Sequence, residues 1–138
     1  MTENELLDFI SNHEKNTLAE NLGIVVTAAS KEKVAGKMPV DKRTKQPLGY
    51  LHGGASAAFA ETLGSIAGTL NVNYPDEIVV GAEINANHIK STQSGWVYGK
   101  ATAVHIGKRT HVWDIQITNE EKQLVCISRL TLAVVQKG

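Results

Sequence analysis

The run LHGGASAAFAETLGS, residues 51–65, sets one carboxylate, Glu61, in a segment otherwise made of small and apolar side chains. Its spacing is helical. Glu61 and Ser65 are four residues apart, so they share a face one turn apart. Ser65 can hydrogen-bond the carboxylate or hold a water beside it. A carboxylate is costly to bury without a partner. Such an exception marks either a structural hydrogen-bond network or a working acid or base. Glu61 lies in the middle of the run with no basic residue on its turn, which favours the second.

The entrance to the run adds a second group. Gly53 and Gly54 follow His52 where helical periodicity begins. The first N–H groups of a helix have no intrahelical acceptor and carry partial positive charge. Glycine lets a ligand approach that backbone closely. A carbonyl oxygen becoming an oxyanion would be stabilised there. Read blandly, the two glycines are a flexible turn. Gly53 and Glu61 are eight residues apart, about 12 Å along a helix axis. One acyl carbon cannot easily meet both. If both serve one reaction, Gly53 of one subunit must face Glu61 of another.

The elements that must position these groups follow from periodicity. Residues 3 to 20 carry Leu6, Phe9 and Ile10 at helical spacing, so a short amphipathic helix is expected within this opening segment. Residues 22–30 and 33–40 read as two strands, and 41–52 as a loop. The long helix runs from about Gly53 to about Asn71, and 73–77 is a turn. Four β-like segments follow, 78–90, 95–107, 110–119 and 123–135, joined by short polar connections as in antiparallel hairpins. In the second of these, Trp96, Tyr98, Lys100, Thr102, Val104 and Ile106 fall on one side by period two. The central helix is apolar nearly all round and needs cover on most of its surface. An antiparallel sheet curled round it, with a second subunit on the other side, meets that need. The layout is α+β in one domain spanning 1–138.

Composition removes several functions. The chain has 138 residues, 42% hydrophobic and 20% charged, with 14 basic and 14 acidic side chains in balance. Neither a general nucleic-acid binder nor an anionic-membrane binder is expected. The single cysteine, Cys126, sits in an apolar run and reads as a reduced core thiol. The N-terminus lacks the basic-then-apolar order of a signal peptide, so a cytoplasmic location is expected. His13, His105 and His111 have no partners at metal-ligand spacing, and no metal or cofactor is expected.

The pattern QPLGYLHGG, residues 46–54, then ETLGS, 61–65, then VVGAEINANHIKSTQSG, 79–95, resembles the hotdog-fold acyl-CoA thioesterases. The likeness extends over about residues 20 to 135. It points to the branch holding the phenylacetate-pathway-type, 4-hydroxybenzoyl-CoA, dihydroxynaphthoyl-CoA and enterobactin-proofreading thioesterases. The resemblance implies a curved antiparallel sheet of about six strands around a long helix, in homodimers whose sheets join and which pair again as tetramers. It implies Glu61 as nucleophile or as general base delivering water to the thioester carbonyl, with Ser65 orienting Glu61 or the water. The Gly53 N–H would bind the thioester oxygen, Gln46 would stand beside it as a second donor or to position water, and His52 would support that end. In this branch the donors and the carboxylate come from different subunits. Coenzyme A would meet Asn87, His88 and Lys90 on one segment and Gly107, Lys108, Arg109 and Thr110 on another, though Lys108 and Arg109 also suit a solvated hairpin tip. Tyr50, Leu51 and Phe59 flank the segment and are candidates for the acyl pocket. Aromatic acyl groups are what the branch suggests. Two other readings stand beside hydrolysis: a hotdog hydratase or dehydratase, which uses a His with an acid, and an acyl-CoA binder, which would keep the pocket without needing Glu61.

Overall fold

The computed structural model describes all 138 residues. Six strands form one antiparallel sheet: β1 (Val25–Ala29), β2 (Lys33–Pro39), β3 (Glu77–His88), β4 (Trp96–Ile106), β5 (Thr110–Thr118) and β6 (Leu124–Gln136). Their order is β1-β2-β4-β5-β6-β3, so β3 crosses to the far edge. The long helix α3 (Gly53–Thr69) lies on one face of the sheet. This is the hotdog arrangement that the resemblance implied.

Alternation along the strands builds the core. His111, Trp113, Ile115 and Ile117 of β5 are all buried, as period two predicts. Leu130 and Leu132 of β6 join them, and Phe59, Leu63 and Ala67 of α3 close the layer. Gly64 and Gly68 let the sheet come close: a Cβ on either would collide with Leu130 or Leu132. Cys126 is fully buried, and burial pushes its thiol pKa up, which keeps it inert. No helix is long and apolar enough to cross a membrane.

The opening segment holds the expected amphipathic helix, α1 (Glu3–His13), and a second one, α2 (Leu18–Asn21), while one expectation, for β4, needs correction. No apolar residue lies between Ile10 and Leu18 to hold a continuous helix on the core, and Asn16 turns the chain with φ at 63°. A capping box between Thr2 and Glu5 starts α1, and Glu3 accepts a hydrogen bond from Ala29 N–H of β1 at 3.2 Å. In β4, the side carrying Trp96, Tyr98, Lys100 and Thr102 is the outer one, because Val97 and Ala101 face the core. A bulge between Ala103 and His105 then breaks the alternation, so Ile106 pairs with buried His111 instead of continuing the outer face.

Candidate active site

The loop from Asp41 to His52 prepares the start of α3. Thr44 is buried, and its hydroxyl donates to the Pro39 carbonyl at 2.7 Å. Its own carbonyl accepts from His52 N–H at 2.8 Å. His52 is the helix cap: Nδ1 accepts from Gly54 N–H at 2.7 Å. That bond leaves Gly53 N–H with no acceptor inside the chain. The Gln46 side-chain oxygen accepts from Leu48 N–H, which leaves the Gln46 NH₂ group as a free donor. Gln46, Tyr50, Leu51, Gly53, His88 and Lys90 line one cavity of about 350 Å³. His88 packs directly on Gly53, since a Cβ there would stand 2.8 Å from its Nε2. A free N–H at a helix N-terminus, with a free amide NH₂ in the same cavity, is chemistry able to stabilise an oxyanion.

The carboxylate belongs to a different hollow. Glu61 is half-buried, with no hydrogen bond or ion pair to its side chain. Its Oε2 rests on Gly81 of β3, where a Cβ would collide with it. Gly81 begins a bulge that ends at Glu83. Glu61, Thr62 and Ser65 line a second cavity, of about 370 Å³, together with Phe9, His13 and Tyr74. The direct hydrogen bond between Ser65 and Glu61 is not formed, because the carboxylate leans on β3 instead. Glu14 also borders this cavity, and burial raises its carboxyl pKa above the usual value.

The two cavities have no lining residue in common. α3 is continuous between them, so Gly53 and Glu61 stand about 12 Å apart along its axis and about 80° round it. The free donors stand in one cavity and the carboxylate in the other.

The structure divides the other candidates. Tyr50, Leu51, His88 and Lys90 gather at the Gly53 end. Phe59 does not reach either cavity; it is fully buried, its ring packed against Gly99 of β4. Helix periodicity puts it on the sheet side of α3, turned away from Glu61. His52 serves as a cap and lines neither cavity. Asn87 is separated from His88, because neighbours on a strand point to opposite faces. Ile84 and Ala86 pack on the core, so Asn87 lies outside with Asn85, Asp114 and Arg129. Gly107 to Thr110 is at the other end of the sheet. His88 pairs with Cys126 and Thr110 with Ala133, seven positions apart along β6. That is on the order of 23 Å of extended strand. One chain therefore does not bring Lys90 and Lys108 to one phosphate.

Several site residues escaped the sequence reading. Gly81 had a signal, an isolated glycine within a long strand, which marks close approach of another group. Ser56, buried at the Gly53 cavity, looked like one more small helix residue. Phe9, His13 and Tyr74 come from two segments far from Glu61 in sequence, and nothing local links them to it.

Comparison with known proteins identifies the family. The family model of the thioesterase superfamily matches residues 48–126. The 1,4-dihydroxy-2-naphthoyl-CoA hydrolase of Listeria monocytogenes is 48% identical over 120 residues, 87% of this chain and 97% of that protein. A thioesterase of Pseudomonas aeruginosa, solved as a Gln-to-Ala variant, superposes with a TM-score of 0.92 at 44% identity, over 95% of this chain and 94% of the other. A thioesterase of Staphylococcus aureus, also solved as a Gln-to-Ala variant, gives 0.83 at 41% identity, over 85% and 97%. A Glu-to-Ala variant of the same Staphylococcus protein gives 0.85. With its six-stranded sheet around α3 and a matched segment running from Leu48 to Cys126, the chain belongs to the thioesterase superfamily and is a thioester hydrolase.

Proposed function

We propose that this enzyme hydrolyses acyl-CoA thioesters, aromatic acyl groups in particular, in a site shared between two copies of the chain. The observation that carries this is the division of the machinery. Gly53 N–H and the Gln46 amide line one cavity, Glu61 lines another, and one helix holds them apart. A second copy with α3 antiparallel supplies the missing half to each. The edge of the sheet is suited to that contact. β3 is 12 residues long, has no neighbour on its outer side and exposes Val80. Such an edge calls for a partner strand.

The chemistry is a water-for-thiolate exchange. The Gly53 N–H and Gln46 NH₂ hold the thioester oxygen as negative charge develops on it. Glu61 either takes a proton from the attacking water or attacks the carbonyl carbon itself, forming an anhydride that water then opens. The C–S bond breaks in both routes, and the thiolate leaves to be protonated. Products are the free acid and the thiol. The relatives support the roles. The Gln and Glu replaced in the Staphylococcus thioesterase are fifteen positions apart. Gln46 and Glu61 have the same spacing. The aromatic acyl group follows the Listeria relative, whose name gives a naphthoyl substrate.

Subunit mixing tests this. Glu61→Ala and Gln46→Ala are each expected to be inactive on 4-hydroxybenzoyl-CoA. Co-refolded in equal amounts, half of the dimers are mixed and one of their two sites is intact, so activity returns to about a quarter of wild type. A mixture no more active than its components would show that each chain works alone.

A further inference from the structure

The cavity at Glu61 continues past the reacting group. It follows α3 from Glu61 to Leu70, nine residues and about 13 Å. Thr62, Ser65, Ile66 and Thr69 form its floor, and most of these side chains are small. Its other wall is aromatic and comes from α1 and from Tyr74, in the turn between α3 and β3. The Phe9 and His13 rings of α1 lie 4.0 Å apart, and the His13 and Tyr74 rings meet edge-on at 6.4 Å and 78°. Phe9 and Tyr74 are 40% and 43% exposed, so neither fills the core. The wall is nonetheless fixed. Ile10 is buried, Glu3 is bonded to β1, and the capping box holds the start of α1. A volume of about 370 Å³ is within the range of small-molecule pockets.

One polar atom in this wall has a defined role. His13 Nδ1 lies 3.0 Å from the Phe9 carbonyl oxygen. A carbonyl only accepts, so Nδ1 carries the proton. With one proton on the ring, Nε2 is then an acceptor. His13 lines the cavity, and an acceptor there suits a phenolic O–H.

We propose that Phe9, His13 and Tyr74 determine acyl specificity, the rings selecting a flat aromatic acyl group and His13 Nε2 accepting from a hydroxyl on it. This rests on Glu61 being the group that drives hydrolysis, since Glu61 fixes which end of the cavity holds the thioester. Edge-on and offset contacts of three rings favour an aromatic guest over an alkyl chain.

The test compares kcat and KM for benzoyl-CoA, 4-hydroxybenzoyl-CoA and butanoyl-CoA. Phe9→Ala and Tyr74→Ala are expected to lower the aromatic-to-butanoyl ratio of kcat/KM about tenfold, chiefly through KM. Tyr74→Phe should restore the wild-type ratio. His13→Leu should lower the 4-hydroxybenzoyl-to-benzoyl ratio roughly three- to tenfold, the worth of one neutral hydrogen bond. Ratios unmoved by these variants overturn the proposal. So does an equal fall for all three esters, which would make the rings merely structural. Glu61→Ala runs in parallel. If it still turns over, the reading of the reacting group fails, while the ratios continue to judge the aromatic wall.

Discussion

Gly81→Ala is the sharpest test of the site. Gly81 is an exposed position on β3, and alanine there adds one methyl group. That methyl overlaps Oε2 of Glu61. To reach ordinary contact the carboxylate must retreat by about 1 Å, and a displacement of that size costs roughly 10²-fold in rate when the group must meet a reacting atom. The donor cavity around Gly53 is untouched, so KM should move little and the loss should appear in kcat. Strands tolerate alanine better than glycine, so the melting temperature should hold or rise. The assay is steady-state thiol release from 4-hydroxybenzoyl-CoA, with elution volume checked to confirm an unchanged assembly. The decisive comparison is the double variant. In a Glu61→Asp background, whose carboxylate is one methylene shorter and clears the added methyl, Gly81→Ala should cost nothing further, because it acts only through the carboxylate. Full activity in Gly81→Ala, or a second multiplicative loss in the double variant, would refute the placement of Glu61 against β3.

Three more outcomes follow from individual contacts. Gly53→Ala puts a Cβ 2.8 Å from His88 Nε2, so it should disturb the donor end and lower kcat about 10- to 10²-fold; activity within twofold of wild type would remove Gly53 from the oxyanion site. His52→Ala should cost about 1 kcal/mol in urea unfolding through loss of the cap, and His52→Asn should recover it; equal instability of both would show the cap to be unimportant. Burial, with His105 nearby, holds the His111 pKa below its ordinary 6.5, and His111 is 1% exposed. The unfolded chain therefore binds that proton more readily. Stability from the neutral ring is complete above about pH 6.5 and declines as pH falls below it. His111→Phe should flatten the dependence of the urea midpoint between pH 7.5 and 5, and a curve parallel to wild type would point to other groups.

Much of this protein is local, and the sequence by itself determined that part. Alternation gave β5 its buried His111, Trp113, Ile115 and Ile117, because strand faces repeat every second residue. The glycines after His52 marked the start of α3, and the lone carboxylate in an apolar helix marked Glu61. Even the division of the site followed from helix rise, since eight residues fix a separation whatever surrounds them. What the tertiary structure alone decided is where sequence-distant groups meet. Phe59 was adjacent to the site in sequence, yet the sheet packed on its face of α3 made that face core. Of the two faces of β3, packing turned that of His88 to the Gly53 cavity and left Asn87 outside. Lys90 and Lys108 came to opposite ends because β3 and β5 run the same way on either side of β6. Gly81 under Glu61, His88 over Gly53, and Phe9, His13 and Tyr74 along the cavity all depend on how strands and helices pack. Spacing along a chain determines which side chains share a face, and only the crossing of one element over another determines what that face touches.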